Sequence, residues 1–148
     1  MMKHFDPADA NWEGRVHASF ARQGIMDTLG ARLGSLAPGK AEILLDFHER
    51  LSQQHGFFHA GVISTIADSA GAFAAYSLFP PGRAIVSVEF KINMLNPADG
   101  ERLRAAGEVL KCGRTLSICE VEVYTIKQGA ETLCAKMQQT LFQVAEGK

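Results

Sequence analysis

Several common carriers of chemistry are missing from this chain, and each absence narrows what it can do. No run of apolar residues is long enough to cross a bilayer, and Met1-Met2-Lys3-His4-Phe5-Asp6-Pro7 lacks the apolar stretch of a signal peptide. No membrane role is expected, and the cytoplasm is the expected compartment. Charge of one sign is also missing: 15 Lys and Arg stand against 16 Asp and Glu, a net charge of -1. Such a balance gives no global field to draw in nucleic acid or a lipid surface, so the expected partner is a small molecule or another copy of the chain. Cys112, Cys119 and Cys134 are the only cysteines, an odd number with no C-x-x-C pair. They indicate neither a disulfide framework nor a zinc site, and buried, reduced thiols are the simpler reading. There is no G-x-S-x-G elbow, no H-E-x-x-H and no clustered His and Cys set. Gly34-Ser35-Leu36-Ala37-Pro38-Gly39-Lys40 nearly spells a phosphate-binding loop. Ala41, however, stands where the magnesium-binding Ser or Thr belongs, and a strand pattern follows, so the segment reads as a turn. Chemistry without a metal or other cofactor is what remains.

At 148 residues the chain is long enough for one well-buried core, and a single domain over 1-148 is expected. Trp12, Val16 and Phe20 recur at four-residue steps, followed by Ile25, Met26 and Leu29, which predicts one or two amphipathic helices over about 8-29, interrupted near Gly24. This reads as a lid or flank. Strand patterns follow at 31-36 and 41-48, the second alternating Ile43, Leu45 and Phe47 against Glu42, Leu44 and Asp46, with a Pro38-Gly39 turn between them. From about Ala60 to Leu78 the chain is rich in alanine and apolar on nearly every side until Pro80-Pro81. A helix apolar all round is a buried helix. Alternation then returns over 84-94, with Val86, Val88, Phe90, Ile92 and Met94 read on one face and Ser87, Glu89, Lys91 and Asn93 on the other. After the Asn96-Pro97-Ala98-Asp99-Gly100 turn come strands at about 101-111, 115-127 and 131-143.

This order has a physical solution. A consecutive meander of long strands curls because sheets twist, and its concave apolar face needs a filler. The alanine-rich helix fits that place. The expected class is therefore α+β: a hotdog fold, an antiparallel sheet of about six strands wrapped round a central buried helix, with the core over about 30-143 and a helical flank before it.

The residues that draw attention lie where a polar, glycine-bearing loop enters the buried helix, from Gln53 through Gly56, Phe57 and His59-Ala60-Gly61 to Asp68. Helix N-termini present free N–H groups and a positive dipole end, so amides near Ala60 and Gly61 are placed to polarise a carbonyl oxygen. Asp68 lies about two turns further on, among apolar neighbours where a carboxylate is rare unless paired or used.

In this pattern the chain resembles the PaaI-like branch of hotdog acyl-CoA thioesterases. That family has an asparagine, a glycine three residues later, His-Gly-Gly three beyond that, and an aspartate nine past the histidine. Gln53, Gly56, His59-Ala60-Gly61 and Asp68 occupy those slots here, with glutamine for the asparagine and alanine for the first glycine. The strand Val86 to Asn93, the turn at Asn96, Gly113-Arg114-Thr115 and the Gln138-Gln139-Thr140 strand also fit, so the resemblance spans roughly 30-143.

The resemblance implies hydrolysis of a small or medium acyl- or aryl-CoA, coenzyme A being part of the substrate and no other cofactor being needed. Asp68 is implied as general base on water or as a nucleophile, and the two remain open. The Ala60 N–H, His59 and Gln53 are implied to polarise the carbonyl, with Gln54 or His55 as substitutes for Gln53. Ser87 takes the slot of an assisting hydroxyl. Gly61, Gly113, Arg114, Thr115 and Phe57 are implied to contact the substrate, Arg114 and with it Lys111 near the coenzyme A phosphates. The family further implies a homo-oligomer, a dimer of dimers, with Asp68 acting on a thioester held mainly by the other subunit. A non-catalytic acyl-CoA binder on the same fold is the alternative, motivated by the Gln53 and Ala60 departures. A dehydratase or hydratase would need a different His and acid pairing, for which the chain offers no good match.

Overall fold

A computed structural model of the chain describes residues 3–147. Helices α1 (Trp12–Ala21) and α2 (Gly24–Leu29) lead into strands β1 (Arg32–Ala37) and β2 (Lys40–Asp46). A short 3₁₀ turn (Glu49–Leu51), helix α3 (Ala60–Tyr76) and four strands follow: β3 (Arg83–Met94), β4 (Arg102–Cys112), β5 (Leu116–Lys127) and β6 (Ala130–Ala145). The six strands form one sheet in the order β1-β2-β4-β5-β6-β3, antiparallel throughout. This is the hotdog arrangement, an α+β fold with α3 lying in the concave side of the sheet.

Alternation decides which face of each strand meets the helix. Ala41, Ile43 and Leu45 of β2, Leu103, Ala105 and Val109 of β4, Cys119, Val121 and Val123 of β5, and Met137 and Leu141 of β6 are buried. They close on Ile63, Ile66, Ala67, Ala70 and Ala74 of α3. The small side chains of α3 let it lie close to the sheet, and at one point the approach excludes any side chain. A Cβ on Gly107 of β4 would lie 2.5 Å from the Ala70 carbonyl oxygen. The helix stops after Tyr76, where the Ser77 hydroxyl bonds the Ala74 carbonyl at 2.7 Å and accepts from the Gly39 N–H at 2.8 Å. Pro80 and Pro81 follow after Leu78 and Phe79.

Two expectations are corrected. β3 is not the first strand of a meander: of the four strands after α3 only β4-β5-β6 run consecutively, while β3 pairs with β6 at the sheet edge. The cause is α3, which carries the chain across the concave face from β2 to the opposite edge before β4, β5 and β6 fill the gap. The N-terminal helices are also more than a flank, since Val16 and Met26 are completely enclosed in the core. Arg15 fastens α1 to the end of α3, donating to the Phe79 carbonyl at 3.0 Å over the Tyr76 ring.

Candidate active site

The loop before α3 is built to present that helix's first turn. Gly56, at φ +84°, takes a left-handed conformation that lets Gln53 and Phe57 face each other, the Gln53 N–H donating to the Phe57 carbonyl at 2.8 Å. Two strut bonds fix the loop to the body: Phe58 N–H to the Ala98 carbonyl at 3.1 Å and His59 N–H to the Leu51 carbonyl at 2.9 Å. Phe58 is core, edge-on to Phe47, whereas Phe57 is half-buried.

At the helix start His59 is the cap, its Nδ1 accepting from the Gly61 N–H at 2.8 Å. In the neutral imidazole that bond leaves the ring proton on Nε2, so His59 offers one outward donor. The Gly61 amide is occupied by the same bond and is not free for a ligand. The Ala60 N–H has no partner among the described residues, which makes it the open donor at the positive end of α3. Alanine here keeps a helical backbone, so the glycine of the family pattern is not required by φ. Gln53, His59, Ala60, Phe57, Met94 and Asn96 line one cleft of about 260 Å³. Gln53 has a further duty in the loop, where its Oε1 accepts from the His55 N–H and from the Phe57 N–H at 3.3 Å. Its side-chain carbonyl thus shapes the turn, a role its assignment as a carbonyl-polarising amide did not include.

Asp68 forms a second cluster, half-buried on the β3 side of α3. Its Oδ1 accepts from the Ser87 hydroxyl at 2.6 Å and from the Gln139 amide. Gln139 Nε2 also donates to the Asp68 main-chain carbonyl at 3.1 Å and lies 3.4 Å from the Ser87 oxygen. Strict alternation along β3 would turn Ser87 outward with Glu89 and Lys91, and this expectation fails at a β-bulge. Ser87 pairs with Leu141 and Glu89 with Thr140, leaving Val88 as the extra residue. Ser87, Phe90 and Ile92 therefore share the helix-facing side, opposite the inward Leu141, Gln139 and Met137, while Val86 turns out with Glu89. Sequence reasoning gave Gln139 no role. Its signal was an amide at an inward position between Met137 and Leu141 on an otherwise apolar face.

The Gly113-Arg114-Thr115 turn joins β4 to β5 at the Ser87 end of the sheet, held by the Gly113 N–H to Leu116 carbonyl bond and the Gln143 N–H to Thr115 carbonyl bond, both 2.8 Å. Arg114, Thr115 and Lys111 are exposed there. Gly113 has a packing reason to be glycine, since a Cβ would lie 2.7 Å from the Leu116 carbonyl oxygen. Among the described residues no three His, Cys, Asp or Glu side chains converge as a metal site would need, and no helix is long and apolar enough to cross a membrane.

The structure thus sets two polar clusters apart along α3. Eight residues of α3 separate the Ala60 amide from Asp68, about 12 Å at 1.5 Å per residue. One thioester group cannot touch both within a single chain.

Comparison with known proteins agrees with this construction. Residues 55–132 match the family model described as the thioesterase superfamily. A thioesterase family protein from Silicibacter pomeroyi has a solved structure that superimposes with a TM-score of 0.89 at 46% identity, covering 90% of this chain and 98% of that one. The acyl-coenzyme A thioesterase PaaI of Escherichia coli is 25% identical over 118 residues, 79% of this chain and 81% of its own length. The 1,4-dihydroxy-2-naphthoyl-CoA hydrolase of Listeria monocytogenes is 25% identical over 100 residues, 68% of this chain and 81% of its own. With the fold, the helix-start loop and these matches in hand, the chain, which has the hotdog fold and is similar to PaaI, belongs to the thioesterase superfamily and is a thioester hydrolase.

Proposed function

We propose that the chain hydrolyses small or medium acyl- or aryl-CoA thioesters in a site shared between two copies. The carrying observation is the 12 Å gap, about eight helical rises, between a free amide at the start of α3 and a carboxylate held by Ser87. In this reading the thioester oxygen lies on the Ala60 N–H of one copy, with the His59 Nε2 proton and the Gln53 amide beside it. Asp68 of the other copy either takes a proton from the attacking water or attacks the carbonyl itself. The coenzyme A thiolate then leaves, water in the second case cleaving the resulting acyl-Asp68 anhydride to free the acid and restore the carboxylate, and Arg114 and Lys111, with Gly113 and Thr115 shaping the turn, meet the coenzyme A phosphates. Phe57 borders the acyl group. Water and Asp68 supply every atom and proton the reaction needs, so no added cofactor is invoked. The cytoplasm is the proposed compartment, where the three unpaired thiols would stay reduced.

The open edge of β3 supports the pairing. Phe90 and Met94 of β3 and the following Leu95 are 45%, 42% and 50% exposed beside the outer edge of β3, which has no strand partner among the described residues, a surface that invites a partner strand. Antiparallel pairing of two β3 edges about an axis at Lys91 would pair Phe90 with Ile92 and Glu89 with Asn93, and the bulge at Val88 would then bring Ser87 of one copy opposite Met94 of the other. Met94 lines the His59–Ala60 cleft, so that register joins the two half-sites. Leu116, Phe142 and Val86 form a further exposed apolar row on the outer face of adjacent strands, which supports a second interface and a dimer of dimers.

Two substitutions test the shared site. Asp68→Asn should lower turnover of a good substrate by about 10²-fold or more. Ala60→Pro removes only the free N–H at a helix position where proline is tolerated, and should lower kcat by about 10²–10³-fold. Mixing the two inactive proteins, with exchange of subunits, should restore up to about a quarter of wild-type activity: half of the pairs are mixed and each has one intact site. No recovery in proven mixed oligomers would refute the shared site. Full activity of Asp68→Asn would refute the role of Asp68, and acyl-CoA binding without thiol release across a chain-length panel would favour the non-catalytic binder.

A further inference from the structure

Two locally unfavourable residues meet beside Asp68. Gln139 is 1% exposed on the apolar face of β6, and its Oε1 is buried with no hydrogen-bond partner among the described residues. Such an atom is costly, and an apolar side chain of the same shape would avoid the cost. Gly71 lies in the middle of α3, where glycine is the poorest helix former after proline. The two belong together, because a Cβ on Gly71 would lie 2.0 Å from Gln139 Oε1. The missing side chain is the slot that admits the amide.

From the slot, the amide nitrogen reaches the Asp68 carbonyl at 3.1 Å and the Asp68 Oδ1, where the Ser87 hydroxyl also donates at 2.6 Å. One nitrogen therefore holds both the main chain and the carboxyl of the same residue. Oδ1 has two donors, while Oδ2 has no hydrogen-bond donor among the described residues. We propose that Gln139, seated against Gly71, is a positioning residue that immobilises Asp68 through Oδ1 and thereby makes Oδ2 the reacting oxygen. The inference rests on the reading of Asp68 as the reactive carboxylate. It assigns a function to an amide that stability alone would select against, and to the glycine that accommodates it.

The test is steady-state thiol release by Gln139→Met, Gly71→Ala, the double variant and Asp68→Asn, with thermal melting of each. Gln139→Met keeps the side-chain length and removes the donor, so kcat should fall about 10- to 100-fold with KM within about twofold, the pattern of a group acting only on the chemical step. Its melting temperature should equal or exceed that of wild type, because the unsatisfied oxygen is gone. Gly71→Ala should lower kcat in the same way by displacing the amide. The double variant should be no slower than the slower single one, since both act through one contact. If kcat of folded Gln139→Met stays within about twofold of wild type while Asp68→Asn is inactive, the positioning role is overturned and the Asp68 reading stands. Losses that multiply in the double variant also overturn it. If Asp68→Asn is itself fully active, the underlying reading fails and the inference falls with it.

Discussion

The close approach of helix and sheet at Gly107 offers a perturbation whose size can be worked out. In Gly107→Ala the new Cβ would lie 2.5 Å from the Ala70 carbonyl oxygen, 2.6 Å from its carbon and 2.8 Å from the Gly71 nitrogen. Ordinary contact needs about 3.5 Å, so α3 must rise by roughly 1 Å, and the obstacle is helix backbone that cannot rotate aside. Overpacking of this kind costs about 1–3 kcal/mol, and a rigid obstacle places it at about 3. For a chain of this length that lowers Tm by about 6–12 °C at about 2–4 °C per kcal/mol. The same movement separates Asp68 from Ser87 on β3 and Gln139 on β6. Their 2.6 Å hydroxyl bond cannot survive a lengthening of that size. A misplacement of about 1 Å at a reacting group can cost about 10²-fold in rate, so kcat should fall by up to that factor. Differential scanning calorimetry and thiol release measure the two effects. Gly24→Ala is the control, because no atom lies within 4 Å of the added methyl group. A Gly107→Ala protein with Tm within about 2 °C of wild type would refute the claim that this glycine sets the height of the helix.

Other outcomes follow from the charges and thiols. Burial pushes the Cys119 thiol up to about 12 and the Cys134 thiol to about 11. Iodoacetamide at mildly alkaline pH should therefore label the half-buried Cys112 alone in the native protein; mass-spectrometric detection of equal labelling at Cys119 would contradict this. Hydrogen bonds from Arg102 and then Arg32 hold the Asp46 carboxyl below its ordinary 3.8, and Arg104 holds Glu131 below 4.5. Folded values below unfolded ones mean that stability from these pairs is present above pH 3.8 and 4.5 and is lost as the pH falls through the lower folded values. Tm should drop on acidification through that range, modestly because both carboxylates are well exposed, and Asp46→Asn should flatten the curve. An unchanged slope would remove Asp46 from the account.

Much was legible in the chain because its causes are local. The alanine-rich composition of 60–76 makes a buried helix wherever it is placed. The spacing from His59 and Ala60 to Asp68 is a distance along that one helix, so the cap, the free amide and the carboxylate follow from order alone. The strands of alternating residues, and the turns between them, were readable for the same reason. Tertiary structure decided what depends on pairings between distant residues. It set β3 beside β6 at an open edge, since nothing within β3 states which strand it will meet. It placed the bulge at Val88, which turns Ser87 from the polar face to the helix, because the extra residue exists only relative to the β6 register. It drew the Gln53 carbonyl into the loop. It brought Gln139 against Asp68 across 71 residues of chain and seated it on Gly71. The sequence by itself determined which groups α3 carries and how far apart they lie; folding of the sheet around that helix decided which of them are held and which remain free.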